Sequence, residues 1–167
     1  MNKRIFTIGY EGVAVEDVTD TLRIAGVTLL IDVRAVPISR KKGFSKTALC
    51  EALRQADISY VHLRELGNPK PGREAAKIGR YDQFERIFRD HLVTEPAQAS
   101  LAEAIRLTSE NSACLLCFER DPATCHRSII AQAMVATNEL TVEHLRPTQS
   151  RAGTNVAGSK ISSLALR

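Results

Sequence analysis

The chain has 167 residues, 44% hydrophobic and 25% charged, with a net charge of +4. That is one domain's length with enough apolar material for a core. The longest apolar stretch, residues 27–31, is far too short to span a bilayer, and the N-terminus lacks the apolar region of a signal peptide, so a cytoplasmic protein is expected. Three of the four cysteines crowd into one motif, which is not how a disulfide framework is distributed, so reduced thiols are expected.

In chain order, residues 4–8 read as a first strand ending at the glycine-rich turn Gly9-Tyr10-Glu11-Gly12. Val15, Val18, Leu22 and Ala25 form a helical stripe closed by Gly26. Residues 28–33 are a second, buried strand ending in Asp32-Val33-Arg34, whose two charges share one face of an extended chain. A basic loop, 37–44, leads to Ser45, which can cap a helix carrying Leu49, Ala52, Leu53 and Ala56. A short third strand spans 58–63. The stretch 66–80 is rich in proline, glycine and basic residues and reads as an irregular, mobile lid. Helices follow at 81–92 and after Pro96, with Phe84, Ile87 and Phe88 facing inward on the first and Leu101, Ala104, Ile105 and Thr108 on the second.

The central motif is Cys114-Leu115-Leu116-Cys117-Phe118-Glu119-Arg120-Asp121-Pro122-Ala123-Thr124-Cys125-His126-Arg127. Its apolar start reads as a strand buried on both faces, Asp121-Pro122 as a turn, and the residues from His126 onward as a helix with Thr124 at its N-cap. A last strand lies at 140–145. The tail 147–167 has no acid and reads as poorly ordered or as a short helix at 162–166. Strands alternating with helices imply an α/β fold: a single three-layer domain, 1–146, with a mostly parallel sheet of about five strands and helices on both faces.

In such sheets ligands bind beyond the carboxyl ends of the strands. Tyr10, Asp32, Arg34, Glu119, His126 and Arg127 all lie at such ends or in the first turn after them, so they are expected to converge on one edge. Arg34 and Arg127 can each offer a donor fork to a phosphate or carboxylate, or pair with Asp32 or Glu119. Asp32 and Glu119 fit acid/base chemistry, Glu119 also a nucleophile, and Tyr10 a rim donor. Residues 34–89 carry thirteen basic and six acidic groups, a local excess of +7, which points to an anionic small molecule or a nucleic acid as partner, or to an ordinary solvated surface.

The thiols admit several readings. Cys114 and Cys117 form a C-x-x-C pair, but residues three apart on a strand face opposite ways, against a redox dithiol. Cys125 at a helix start is a candidate nucleophile. A phosphatase-type loop would need arginine six positions after its cysteine, and Ala123 and Ala131 stand there. Cys117, Cys125 and His126 are metal-ligand types, but Cys125 and His126 are adjacent, and zinc sites usually space their ligands in pairs. No metal or cofactor is assigned on that basis. His126 also suits a packed histidine holding a loop carbonyl.

Phe6-Thr7-Ile8-Gly9-Tyr10, Asp32-Val33-Arg34 with Pro37 and Ser39, Leu66-Gly67, and Cys117-Phe118-Glu119-Arg120-Asp121-Pro122 through Cys125-His126-Arg127 resemble the domain of unknown function 488 family. The resemblance runs over residues 4–145. It implies a small α/β domain of prokaryotic cytoplasm and a site through Tyr10, Asp32, Arg34, Ser39, Glu119, Cys125, His126 and Arg127, without naming a reaction. The resulting expectation is a small enzyme acting on a phosphate-bearing, nucleotide-like or nucleic-acid substrate. In it Asp32, Glu119, His126 or Cys125 supplies the chemistry, and Tyr10, Arg34, Ser39 and Arg127 bind. The alternatives are a non-catalytic anion-binding or sensing module and a thiol or metal site.

Overall fold

The computed structural model describes residues 3–149. The end of the expected tail, including the helix suggested at 162–166, lies outside the described residues. Five strands, β1 (Lys3–Gly9), β2 (Leu29–Asp32), β3 (Ser59–His62), β4 (Ala113–Cys117) and β5 (Leu140–Leu145), form one sheet in the order β3-β2-β4-β1-β5. Every pairing is parallel. Six helices connect them: α1 (Val15–Ile24), α2 (Lys46–Gln55), α3 (Lys70–Lys77), α4 (Tyr81–Leu92), α5 (Glu95–Glu110) and α6 (His126–Thr137). Among the described residues no helix is long and apolar enough to cross a membrane.

The central strands are largely apolar because they are buried on both faces, and their alternation divides the core in two. Phe6, Ile8, Leu30, Cys114 and Leu116 pack with Val18 and Leu22 of α1 and Leu49 and Leu53 of α2. Ile5, Leu29, Ile31, Ala113 and Leu115 pack on the other face with Phe84 and Phe88 of α4, Leu101 of α5 and Ile130 of α6. Each such fully buried Leu, Ile or Phe contributes about 1.5–3 kcal/mol.

Two elements differ from the sequence expectation. The lid expected at 66–80 contains a regular helix, α3, entered from Pro69 with a proline in its first turn. A proline there lacks an N–H that the first turn does not need, and its fixed φ suits the helix, so the Pro-rich composition starts a helix rather than preventing one. Ala75 then anchors α3 in the core beside α4. The N-cap of α6 is Cys125 rather than Thr124, because Pro122–Thr124 forms a short 3-10 turn whose N-cap Asp121 accepts from the Ala123 amide.

The connections leaving β1 and β2 run over the α1/α2 face, and those leaving β3 and β4 run over the α3–α6 face. β4 therefore sits between two strands whose chains leave to the opposite side, and the carboxyl edge opens there into a crevice.

Candidate functional site

Strand parity sorts the polar residues at this edge. Asp32 and Tyr10 continue the α1/α2 face, whereas Thr7, Val33 and Cys117 point toward α6. Three groupings result.

The first is built on Asp32, which is fully buried. Its Oδ1 accepts from the Arg34 amide at 3.1 Å and Arg34 Nε at 2.9 Å, and its Oδ2 from an Arg34 terminal nitrogen at 2.6 Å and the Tyr60 hydroxyl at 2.7 Å. The other terminal nitrogen of Arg34 donates to the Tyr10 hydroxyl at 3.0 Å and the Phe44 carbonyl at 2.7 Å. Tyr10 stacks on Phe44 with ring centroids 4.1 Å apart. Burial works against the Arg34 charge, but the hydrogen bond and Coulomb attraction to Asp32 outweigh it and hold its pKa above the ordinary value. Burial and donation to Asp32 push the Tyr60 phenol up as well. Arg34 thus pairs with Asp32, not Glu119. Both oxygens of Asp32, expected as an acid/base group, are committed to these partners, and through Arg34 it is tied to the basic loop.

The second grouping is Arg127, whose side chain is wholly buried. It donates to Thr7 Oγ1 at 3.2 Å and to the backbone carbonyls of Glu119 at 2.6 Å and Arg120 at 3.2 Å. The guanidinium expected as an anion-binding fork thus stitches the exits of β1 and β4 to α6. The exits also pair by backbone, with the Tyr10 amide donating to the Cys117 carbonyl and the Glu11 amide to Phe118. Gly9 is obligatory at this crossing, because a Cβ there would run into the Glu119 carbonyl.

The third grouping is Cys117, Glu119, Cys125 and His126. Both thiols donate to Glu119 Oε2, Cys117 at 3.0 Å and Cys125 at 3.1 Å. His126 Nδ1 lies 3.4 Å from the Cys117 sulfur and 3.9 Å from that of Cys125, while Nε2 bonds the Val33 carbonyl at 2.8 Å. The imidazole is packed edge-on against Phe88, 5.1 Å between centroids. One ligand atom from each of the four residues lies within 4.8 Å of the others, so this is the set that could hold a metal ion. Burial pushes both thiols above the ordinary range. Burial also pushes the Glu119 carboxyl up, but the Cys117 thiol, His126 and the Cys125 thiol prevail, and its pKa lies below the ordinary one. At Cys125 burial opposes the lowering that a helix start exerts on a thiol. Cys114 faces away, into the α1/α2 core.

A cleft of about 630 Å³ lies over the edge, lined by Tyr10, Arg34, Ser39, Arg40, Asn68, Arg73, Lys77, Phe118, Glu119 and His126 among others. Ser39 accepts from the Lys41 amide and shapes the loop at its rim. Arg73, Lys77, Phe118 and Glu119 also wall an adjoining cavity with Tyr81. So α3 does overhang the edge, as an ordered wall. Sequence reasoning did not single out Arg40, Arg73 or Lys77. Arg73 and Lys77 have the i, i+4 spacing that puts both on one helix face, a signal readable only once 70–77 is known to be helical. Tyr60 was missed because its contact with Asp32 depends on the β2–β3 pairing.

Fold and crevice together define a small parallel α/β domain that gathers its polar chemistry at the carboxyl edge of the sheet. A family model described as "Domain of unknown function DUF488" matches residues 14–134, and the chain belongs to that family. No curated protein and no solved structure matches the chain.

Proposed function

We propose that the cleft binds a phosphate-bearing, nucleotide-like molecule and that Glu119 is the carboxylate that acts on it. The observation that carries this reading is the charge lining the cleft. Arg40, Arg73 and Lys77 all face it, and among the described residues none of them has a carboxylate within salt-bridge reach. Three cations left without anions around one concavity supply what a phosphate needs. Phe118 and Tyr81, 45% and 48% exposed, offer aromatic faces beside them on which a base could stack. The Tyr10 hydroxyl, already an acceptor from Arg34, retains a proton to donate to a ligand. Among the described residues Glu119 is the carboxylate that lines this cleft, whereas Asp32 lies beneath it and is paired with Arg34, so acid/base work falls to Glu119.

The test is to incubate the purified chain with mononucleotides and sugar phosphates and to identify bound and altered species by mass spectrometry. R73A/K77A should weaken binding at least tenfold, and its affinity should fall less steeply with salt than that of wild type. E119Q should keep binding and lose turnover. A ligand that binds and is returned unchanged by wild type identifies the non-catalytic sensing module. Affinity indifferent to R73A/K77A would remove the anion reading altogether.

A further inference from the structure

We propose that Cys117, Glu119, Cys125 and His126 form a binding site for a thiophilic divalent ion of the zinc class. The four side chains reach one point from three parts of the fold. Cys117 ends β4, Glu119 stands in the loop after it, and Cys125 and His126 are the N-cap and first residue of α6. Adjacent residues are poor co-ligands on a regular helix. Here Cys125 is extended, with φ −126° and ψ 139°, while His126 begins the helix, and the bend between them brings Sγ and Nδ1 to 3.9 Å. The adjacency that argues against a metal in the sequence is thereby resolved by the backbone.

Tetrahedral zinc holds sulfur at about 2.3 Å and nitrogen or oxygen at about 2.0–2.2 Å, which sets its ligand atoms roughly 3.3–3.8 Å apart. The separations run from 3.0 Å for Cys117 Sγ to Glu119 Oε2, through 3.4 Å for Cys117 Sγ to His126 Nδ1, to 3.9 Å for Cys125 Sγ to His126 Nδ1, and all four ligand atoms lie within 4.8 Å of one another. Small side-chain rotations bring such a cluster to a coordination shell. The histidine is held as a ligand requires. Its Nε2 donates to the Val33 carbonyl at 2.8 Å and Phe88 packs on the ring, which leaves Nδ1 as the nitrogen aimed at the sulfurs. Two sulfurs and an imidazole favour zinc over magnesium or calcium, which take oxygen. Binding exchanges the two thiol protons for one divalent cation, so the pocket's net charge is unchanged and the protons leave to solvent. Cys117, Cys125 and His126 are buried, whereas Glu119 is half-buried on the cleft side. It is the ligand that could give way to a molecule in the cleft.

The full-length chain, reduced and treated with chelator, is titrated with Co²⁺ and then Zn²⁺. One equivalent of Co²⁺ should give tetrahedral ligand-field bands with sulfur-to-cobalt charge transfer, and Zn²⁺ should bleach them. C117S and C125S should each lose about half of the charge-transfer intensity and more than about 100-fold in zinc affinity, since even supporting residues of zinc sites contribute 10–100-fold. C50S, outside the cluster, should match wild type. Absence of sulfur-to-cobalt charge transfer in the wild type overturns the proposal even if the serine variants fold poorly. So does zinc binding equally tight in C50S, C117S and C125S. No organic ligand is present in this titration, so its failure and a failure of the anion reading are separate results.

Discussion

Two polar clusters stand at the same sheet edge, one at the end of β2 and one between the end of β4 and the start of α6, and they are finished differently. Around Asp32 and Arg34 every charge meets its counterpart: the carboxylate takes four donors, and the guanidinium is spent on Asp32, Tyr10 and Phe44. Around Glu119 the carboxylate is met by two thiols, among the weakest donors proteins have, and the imidazole turns Nδ1 toward sulfur. The first arrangement is complete without a ligand. The second gathers four groups that satisfy one another poorly. Residue type alone does not distinguish a structural carboxylate from a functional one; what each is paired with does.

The comparison is broken most severely at Asp32. D32N removes the charge that neutralises a buried guanidinium and should cost about 3–5 kcal/mol. Urea denaturation measures it, and a loss below about 1 kcal/mol would mean that the pair is not the anchor described. R127M tests whether the other buried arginine is likewise structural. It leaves the Glu119 and Arg120 carbonyls without their donor, and about 2–4 kcal/mol should be lost by the same measurement.

E119Q sharpens the contrast from the opposite side. In chelator-treated protein the amide oxygen still accepts from the thiols, so the change should stay under about 1 kcal/mol. A loss equal to that of D32N would make Glu119 as structural as Asp32 and erase the distinction between the clusters.

The smallest expected effect is at His144, whose Nδ1 is hydrogen-bonded to the Thr7 hydroxyl beside Arg127. Partial burial, then the charges of Arg127 and Arg146, hold its pKa below the ordinary value. The unfolded chain then takes up the proton first on acidification. The stability carried by neutral His144 is present above its unfolded value of about 6.5 and is lost as pH falls toward the folded value. The side chain is exposed to solvent, so the contribution should be under about 0.5 kcal/mol. Melting curves between pH 7 and pH 5 should show a shallower slope for H144Q than for wild type, and identical slopes would remove the effect.

Much of the fold was legible because burial on both faces leaves a plain trace. The apolar runs at 29–31 and 113–117, and the stripes Val18/Leu22 and Phe84/Phe88, are what a covered parallel sheet requires. Proline and glycine misled at 70–77, since the same residues that break a helix in its middle are accepted in its first turn. Convergence of the polar residues on one edge was also readable, because parallel strands all end on the same side.

The sequence by itself determined which residues reach the carboxyl edge: strand polarity places Tyr10, Asp32, Arg34, Glu119 and the Cys-His-Arg turn there, whatever the contacts turn out to be. It could not determine their partners. Strand order puts β4 between β2 and β1, and the parity of each strand end then sends Asp32 to one side of the sheet and Cys117 to the other. Which carboxylate meets an arginine and which meets two thiols is a matter of ångströms between segments far apart in the chain. The physical reason is that hydrogen bonds and coordination are short-ranged and directional, whereas hydrophobic periodicity is a one-dimensional signal.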